Sequence, residues 1–359
     1  MRYFDFLEPS ARQTLFSRPP EPFDRSADQD LLRGALGGLL YIPGTREDLA
    51  SILLSRKLRD LTAMAVCLED AVGDRDVARA EENLHRQLSR LEGEESLPLL
   101  FVRVRDAAML ERLVPLLLKH CQVLTGVILP KAEPKTLRQT LLIANDLCRQ
   151  SGCPFYIMPI LESAGLMAPD RLDQLSALRE CTDAFYSQVL NIRIGGTDLC
   201  GLYGVRRSVD TPIYQVAAVA GFIGDVVRIF GLEDRYTISG PVWEYYRASR
   251  GAELEGLLRE TALDLQNGLC GKTCIHPSQL LPVQAQHVVS LESWQDACAI
   301  VEAGGGVQAG TGKNRMNEAR PHLVWARRTL RLARIYGVWQ GDKGPRDLIA
   351  MADGGEASA

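Results

Sequence analysis

Residues 155–162 read FYIMPILE. Seven apolar or aromatic residues end on a single carboxylate, Glu162, and the small residues Ser163, Ala164 and Gly165 follow. A short unbroken run of this kind suits a strand buried on both faces, as in a parallel sheet, better than a strand with one wet face. The pattern recurs at GLLYIP (38–43), MAVCLE (64–69), LPLLFVRV (97–104), GVILPK (126–131), VLNIRIGG (189–196), YTISGPV (236–242) and KTCIHP (272–277). Helical-looking stretches separate the runs, among them RDVARAEENLHRQLSRL and PKTLRQTLLIANDLCRQ. In the second of these, Leu137, Leu141, Leu142, Asn145 and Cys148 fall at helical spacing.

Strands alternating with helices predict a parallel sheet, and eight of them are the number that closes a (β/α)8 TIM barrel, which the 359 residues accommodate. The competing doubly wound open sheet lacks a GxGxxG turn at its first helix. The expected organisation is an N-terminal arm over 1–35, the barrel over 36–290, a C-terminal lid or helical segment over 291–340 and a flexible tail over 341–359. The amphipathic basic stretch PHLVWARRTLRLARIYGVW (321–339) is expected to lay Leu323, Leu330 and Ile335 on the barrel or on a neighbouring subunit.

The composition narrows the function. With 46% hydrophobic and 24% charged residues the chain has the balance of a soluble globular protein, and its net charge of −4 argues against a broad nucleic-acid surface. The opening MRYFDFLEPSARQTLFSRPPEPFDRS lacks the apolar core of a signal peptide, and no apolar run is long enough to span a membrane, so a cytoplasmic location is expected. The nine cysteines are odd in number and form no CxxC pair, which reads as reduced core thiols rather than a disulfide framework or a zinc site.

In a barrel of this type the active site forms at the C-terminal ends of the strands. Those ends carry Glu69 and Asp70, Arg103 and Arg105, Lys131, Glu162, then Asp198 in GGTDL, Trp243 with Glu244, and His276. Glu162 and Asp198, from adjacent strand ends, form a candidate pair for a hard divalent cation, which takes one or two protein carboxylates and keeps water or substrate oxygens in its other positions. Arg103 is a candidate for holding a carboxylate or an enolate oxygen. Arg103, Lys131, Gly196 and Thr197 are the substrate-binding candidates, Lys131 in an electrostatic role rather than as a Schiff base. His276, before a proline and a helix start, reads as structural. GGGVQAGTGKN (304–314) does not fit GxxxxGK[ST] and reads as a mobile loop or a lid.

Taken in order, YIPG, CLEDAVGDRDVAR, VRV, ILPK, ILES, GGTDL and GKTCIHPSQL resemble the citrate lyase beta subunit and the wider HpcH/HpaI aldolase superfamily, over roughly residues 36–335. MRYFD, GPVWEYY and RMNEARPHLVWA are similar to one branch, the TIM-barrel C–C bond lyases associated with tellurite-resistance and stress gene clusters. The resemblance implies Mg²⁺-dependent aldol or Claisen chemistry (with Mn²⁺ as a substitute) on an oxo acid or acyl-CoA, coenzyme A being part of the substrate, in a homo-oligomer such as a trimer or hexamer. It implies Glu162 and Asp198 as metal ligands, Arg103 as the enolate-steadying arginine, and Glu69 and Asp70 as the acidic pair behind it. Two departures stand out. Cys67 replaces the first acid of the usual DLED, and MNEARP stands where many coenzyme-A-using members carry MID-x-P, leaving Glu318 as the nearest proton-transfer acid. An aldolase on free 2-oxo acids without coenzyme A, and a non-catalytic binding component of a stress-response complex, are the alternatives.

Overall fold

Eight parallel strands form one sheet in the computed structural model, which describes residues 1–247, 250–303, 305–313 and 315–356. They are β1 (Gly38–Pro43), β2 (Ala63–Cys67), β3 (Leu99–Arg103), β4 (Gly126–Leu129), β5 (Tyr156–Leu161), β6 (Ile192–Ile194), β7 (Ile238–Ser239) and β8 (Lys272–Cys274). Each pairs with the next, and β1 pairs with β8 through Gly38↔Lys272, Leu39↔Thr273 and Leu40↔Cys274. A single bridge, Gly240↔Lys272, joins β7 to β8 and closes the ring. The (β/α)8 barrel is therefore the fold. The strands stop short of the predicted runs at their polar ends, because Glu69, Lys131 and Glu162 leave the ladder to enter the loops above it.

The helices between strands start and stop where their sequences dictate. Pro134–Ser151 begins with proline in its first turn and a reciprocal Glu133/Thr136 capping box, and ends on Gly152 at φ 69°, a left-handed position glycine adopts without strain. Ala107–Lys119 is capped by the Asp106 side chain, which accepts from the Met109 amide. Their apolar faces and the outward faces of the strands make the larger core.

A second core plugs the N-terminal end of the barrel. It gathers Tyr3, Phe4 and Phe16 from the N-terminal arm, Phe101 and Met158 from the strands, and Tyr336 and Trp339 from the C-terminal segment. Phe16–Arg18 pairs antiparallel with Val338–Trp339. Helix Leu323–Tyr336 is anchored under the barrel by Arg328, which donates to the Gly268 and Leu269 carbonyls just before β8, and by Arg331, which meets Asp234 at 2.7 Å just before β7. Within this chain the helical segment over 291–340 floors the barrel at the end away from the predicted site. Within the tail expected over 341–359, Pro345–Glu356 is a helix that buries Leu348 and packs Ile349 with Leu254 and Leu258, and residues 357–359 lie outside the described residues. In the glycine-rich stretch, residues 304 and 314 lie outside the described residues, while Val307–Ala309 and Met316–Glu318 form a hairpin. The nine cysteines are free thiols. Among the described residues no helix is long and apolar enough to cross a membrane.

Candidate active site

A cavity of about 430 Å³ opens at the C-terminal ends of the strands and is lined by Tyr41, Arg103, Glu162, Asp198 and Thr273 among others. Arg103 ends β3 and is 8% exposed. Its Nη2 lies 2.6 Å from Glu69 Oε2, 3.0 Å from Asp70 Oδ2 and 3.6 Å from Glu162 Oε1. Burial works against its charge, but Tyr41, Glu69 and Glu162 around it more than restore the preference for the guanidinium form. Three carboxylates from two strand ends thus converge on one cation. The Asp70 amide donates to Glu69 Oε2 at 2.9 Å, fixing the acidic pair as a unit.

Lys131 turns out of β4 at φ 47°, a left-handed conformation that costs a side-chain-bearing residue free energy. The turn directs its amide to Glu162 Oε1 at 3.1 Å and its ammonium to Glu69 Oε1 at 3.1 Å. The hydrogen bond to Glu69, with Asp70 and Asp198 nearby, raises the ammonium above its ordinary value. A Schiff-base lysine needs the opposite shift, so the geometry supports an electrostatic role.

Glu162 is 4% exposed. Burial first, and then the negative charges of Asp198 and Glu69, push its carboxyl up to about 7, against the pull of Arg103 and the Lys131 amide. Asp198 lies in the first turn of helix Gly196–Leu202, directly after β6. The two carboxylates line the same cavity, near enough for each other's charge to be felt, and a hard cation between them would relieve both. Among the described residues no three His, Cys, Asp or Glu side chains form a complete metal cage. Mg²⁺ does not require one, and an oxygen-only donor pair is the set it takes. Gly196 and Thr197 line the cavity beside Asp198, and Thr197 Oγ1 donates to Glu244 Oε1 at 3.2 Å.

Gly195 was not singled out from the sequence. A Cβ there would overlap the Glu162 carboxylate, so the absent side chain makes room for the buried acid. The signal is the doubled glycine ahead of TDL. Tyr41 on β1 and Thr273 on β8 were missed as well, because each sits inside an apolar run and only ring closure turns it towards the cavity.

Other expected residues stand elsewhere. Arg105 is spent on the Leu68 and Val72 carbonyls and on Asp74. The His276 ring accepts from the Ser278 amide at 3.2 Å and caps the short helical turn that follows, a structural role. Glu318, the expected proton-transfer acid, closes the hairpin opposite Val307, and its amide meets the His322 ring at 3.0 Å. That hairpin packs on helix Leu291–Ala303, in the segment flooring the barrel, so within this chain Glu318 does not reach the cavity.

Solved structures share this architecture. CitE from Mycobacterium tuberculosis, in complex with magnesium, acetoacetate and coenzyme A, superposes with a TM-score of 0.59 at 21% identity, over 84% of this chain and 99% of that one. A citrate lyase from Burkholderia xenovorans LB400 gives a TM-score of 0.64 at 16% identity, over 95% and 99% of the two chains. The Haloferax volcanii malate synthase complex with magnesium and glyoxylate gives 0.55 at 12% identity, over 69% of this chain and 74% of that one. No curated protein sequence matches the chain. Residues 30–338 match the family described as C–C bond lyase of the TIM-barrel fold, and the chain belongs to that family.

Proposed function

We propose that the chain is a Mg²⁺-dependent carbon–carbon lyase that cleaves or forms a hydroxyacyl thioester, or a related hydroxy acid, through an enolate held in the cavity. The observation that carries this reading is the buried Glu162 carboxylate, sharing the cavity with Asp198 and 3.6 Å from the Arg103 guanidinium. Glu162 and Asp198 are the residues that would hold Mg²⁺, which when bound supplies Lewis-acid stabilisation of a substrate carbonyl or alkoxide oxygen.

Arg103 presents its remaining donor capacity to the negative charge that develops on the enolate as the carbon–carbon bond breaks or forms. Its Nε, buried and without a hydrogen-bond partner among the described residues, leaves that capacity unspent. Glu69 and Asp70 hold the guanidinium in place, and Lys131 neutralises part of their charge. Magnesium with acetoacetate and coenzyme A on CitE, and magnesium with glyoxylate on malate synthase, support the same choice of metal and substrate class on this fold. The exposed Leu202, Tyr203 and Val205 at the end of the Asp198 helix support a homo-oligomer.

Deuterium exchange at the methyl groups of acetyl-CoA and pyruvate, followed by NMR with and without Mg²⁺, tests the enolate step without the second substrate. Metal-dependent exchange on acetyl-CoA supports the thioester enzyme, and exchange on pyruvate alone supports the free-acid aldolase. Glu162→Gln is expected to lose both the exchange and calorimetric Mg²⁺ binding while keeping its fold. No exchange together with no Mg²⁺ binding in the unaltered chain would overturn the proposal.

A further inference from the structure

Arg193, the middle residue of β6, lies in the barrel interior and is 1% exposed. Its Nη2 donates to Thr273 Oγ1 at 2.7 Å, while among the described residues Nε and Nη1 close no hydrogen bond of good geometry and the neutral Tyr41 hydroxyl lies beside the guanidinium. Among the described residues it forms no ion pair. The contrast with Lys272, one residue before Thr273, is sharp: that buried ammonium is matched by Glu260 at 3.0 Å and Asp264 at 2.7 Å. A guanidinium does not shed its proton, so an interior arginine without a counter-charge is costly unless an anion reaches its surroundings.

Thr273 shows where that anion arrives. Its side chain lines the cavity, and its oxygen accepts from Arg193. The hydroxyl hydrogen has no acceptor among the described residues, so it is free to point into the cavity. The charged donor behind the hydroxyl polarises it and strengthens whatever bond it makes. Tyr41 also lines the cavity, and its buried hydroxyl closes no well-formed hydrogen bond. Strands β5 and β8 are three apart in the ring of eight, which sets Thr273 across the cavity from Glu162.

We propose that Thr273, backed by Arg193, seats a substrate carboxylate oxygen distinct from the oxygens offered at Glu162 and Asp198, so that the preferred substrates carry a second carboxylate. Thr273 touches the substrate and Arg193 is a positioning residue that acts through it. The inference rests on the reading of Glu162 and Asp198 as the Mg²⁺ end of the cavity.

L-malate and L-lactate share a 2-hydroxycarboxylate head and differ in one distal carboxylate, which makes them the probes. Calorimetric titration of the Mg²⁺-loaded full chain is expected to show malate binding roughly tenfold more tightly than lactate. Thr273→Val, which keeps the shape and removes the hydroxyl, is expected to bring malate to the affinity of lactate without changing lactate, and Thr273→Ser to restore the difference. Because Arg193→Met risks the fold, Thr273→Val carries the decision. Equal binding of the two acids in the unaltered chain, or a difference that survives Thr273→Val, would overturn this inference and leave the metal site standing. Binding of neither acid by Mg²⁺-loaded protein would overturn it together with the hydroxy-acid reading. Failure to bind Mg²⁺ at all would instead sink the proposed function.

Discussion

Glu162 sits where the apolar run of β5 ends, and in the metal-free chain burial holds its carboxyl up at about 7, above the ordinary 4.5. The folded chain therefore keeps a proton that the unfolded chain releases between those values. Stability linked to this group is fully present below pH 4.5 and is lost as the pH rises through 7. Glu162→Gln carries no titrating proton, so it should flatten this fall by about 2–3 kcal/mol, read from urea denaturation of metal-free protein at pH 5 and pH 8. Mg²⁺ requires the carboxylate, so in the unaltered chain its affinity should rise with pH over the same window. An affinity that is flat between pH 6 and 8 would count against Glu162 as a ligand. The acid itself was legible in the sequence, because a charge closing an apolar strand stands out. Gly195 was not, because a glycine reserved for a neighbour's carboxylate looks like any turn glycine until the two are brought together.

Strand β8 and helix Gly251–Gln266 are locked by charges that neither element reveals alone. Lys272, fully buried, meets Glu260 and Asp264, which lie one helical turn apart on the inward face. Arg207 also pairs with Glu260, and the Tyr214 hydroxyl donates to Asp264 at 2.7 Å. Burial pushes the Asp264 carboxyl up to about 6 even with Lys272 against it. Lys272→Met should leave both carboxylates without their shared cation and destabilise the chain by about 3–5 kcal/mol, measured by chemical denaturation. A loss below about 1 kcal/mol would show that the network adds little. Among the strands, KTCIHP was legible as an element from its apolar character, but the partners of its lysine were not, since they come from a helix whose sequence reads as ordinary amphipathic surface.

Across the whole molecule, the N-terminal arm and the C-terminal segment meet under the barrel and leave the opposite end to the site. Tyr3 is the pin: it is 1% exposed, its hydroxyl donates to the Ala35 carbonyl at 2.8 Å and accepts from Thr62 at 3.0 Å, and its ring lies 4.4 Å from that of Tyr336. Tyr3→Ala should cost about 3–5 kcal/mol in equilibrium unfolding, because it opens a cavity and strands two polar groups. Mg²⁺ binding by the folded fraction should be unchanged, since the plug lies at the other end of the strands. Coupled loss of Mg²⁺ affinity would show that the floor and the mouth are not independent.

The barrel and the strand-end positions of Glu69, Arg103, Lys131, Glu162 and Asp198 were determined by the sequence alone. Apolar runs of strand length, separated by helical periodicity, leave few ways to bury every strand on both faces. Tertiary structure decided the rest: that within this chain 291–340 floors the barrel, that Glu318 lies away from this chain's own cavity, and that Arg193 reaches Thr273 between strands β6 and β8. An amphipathic pattern states that a face will be buried but not against what, and an interior arginine reads like any polar break in a strand until ring closure supplies its neighbours.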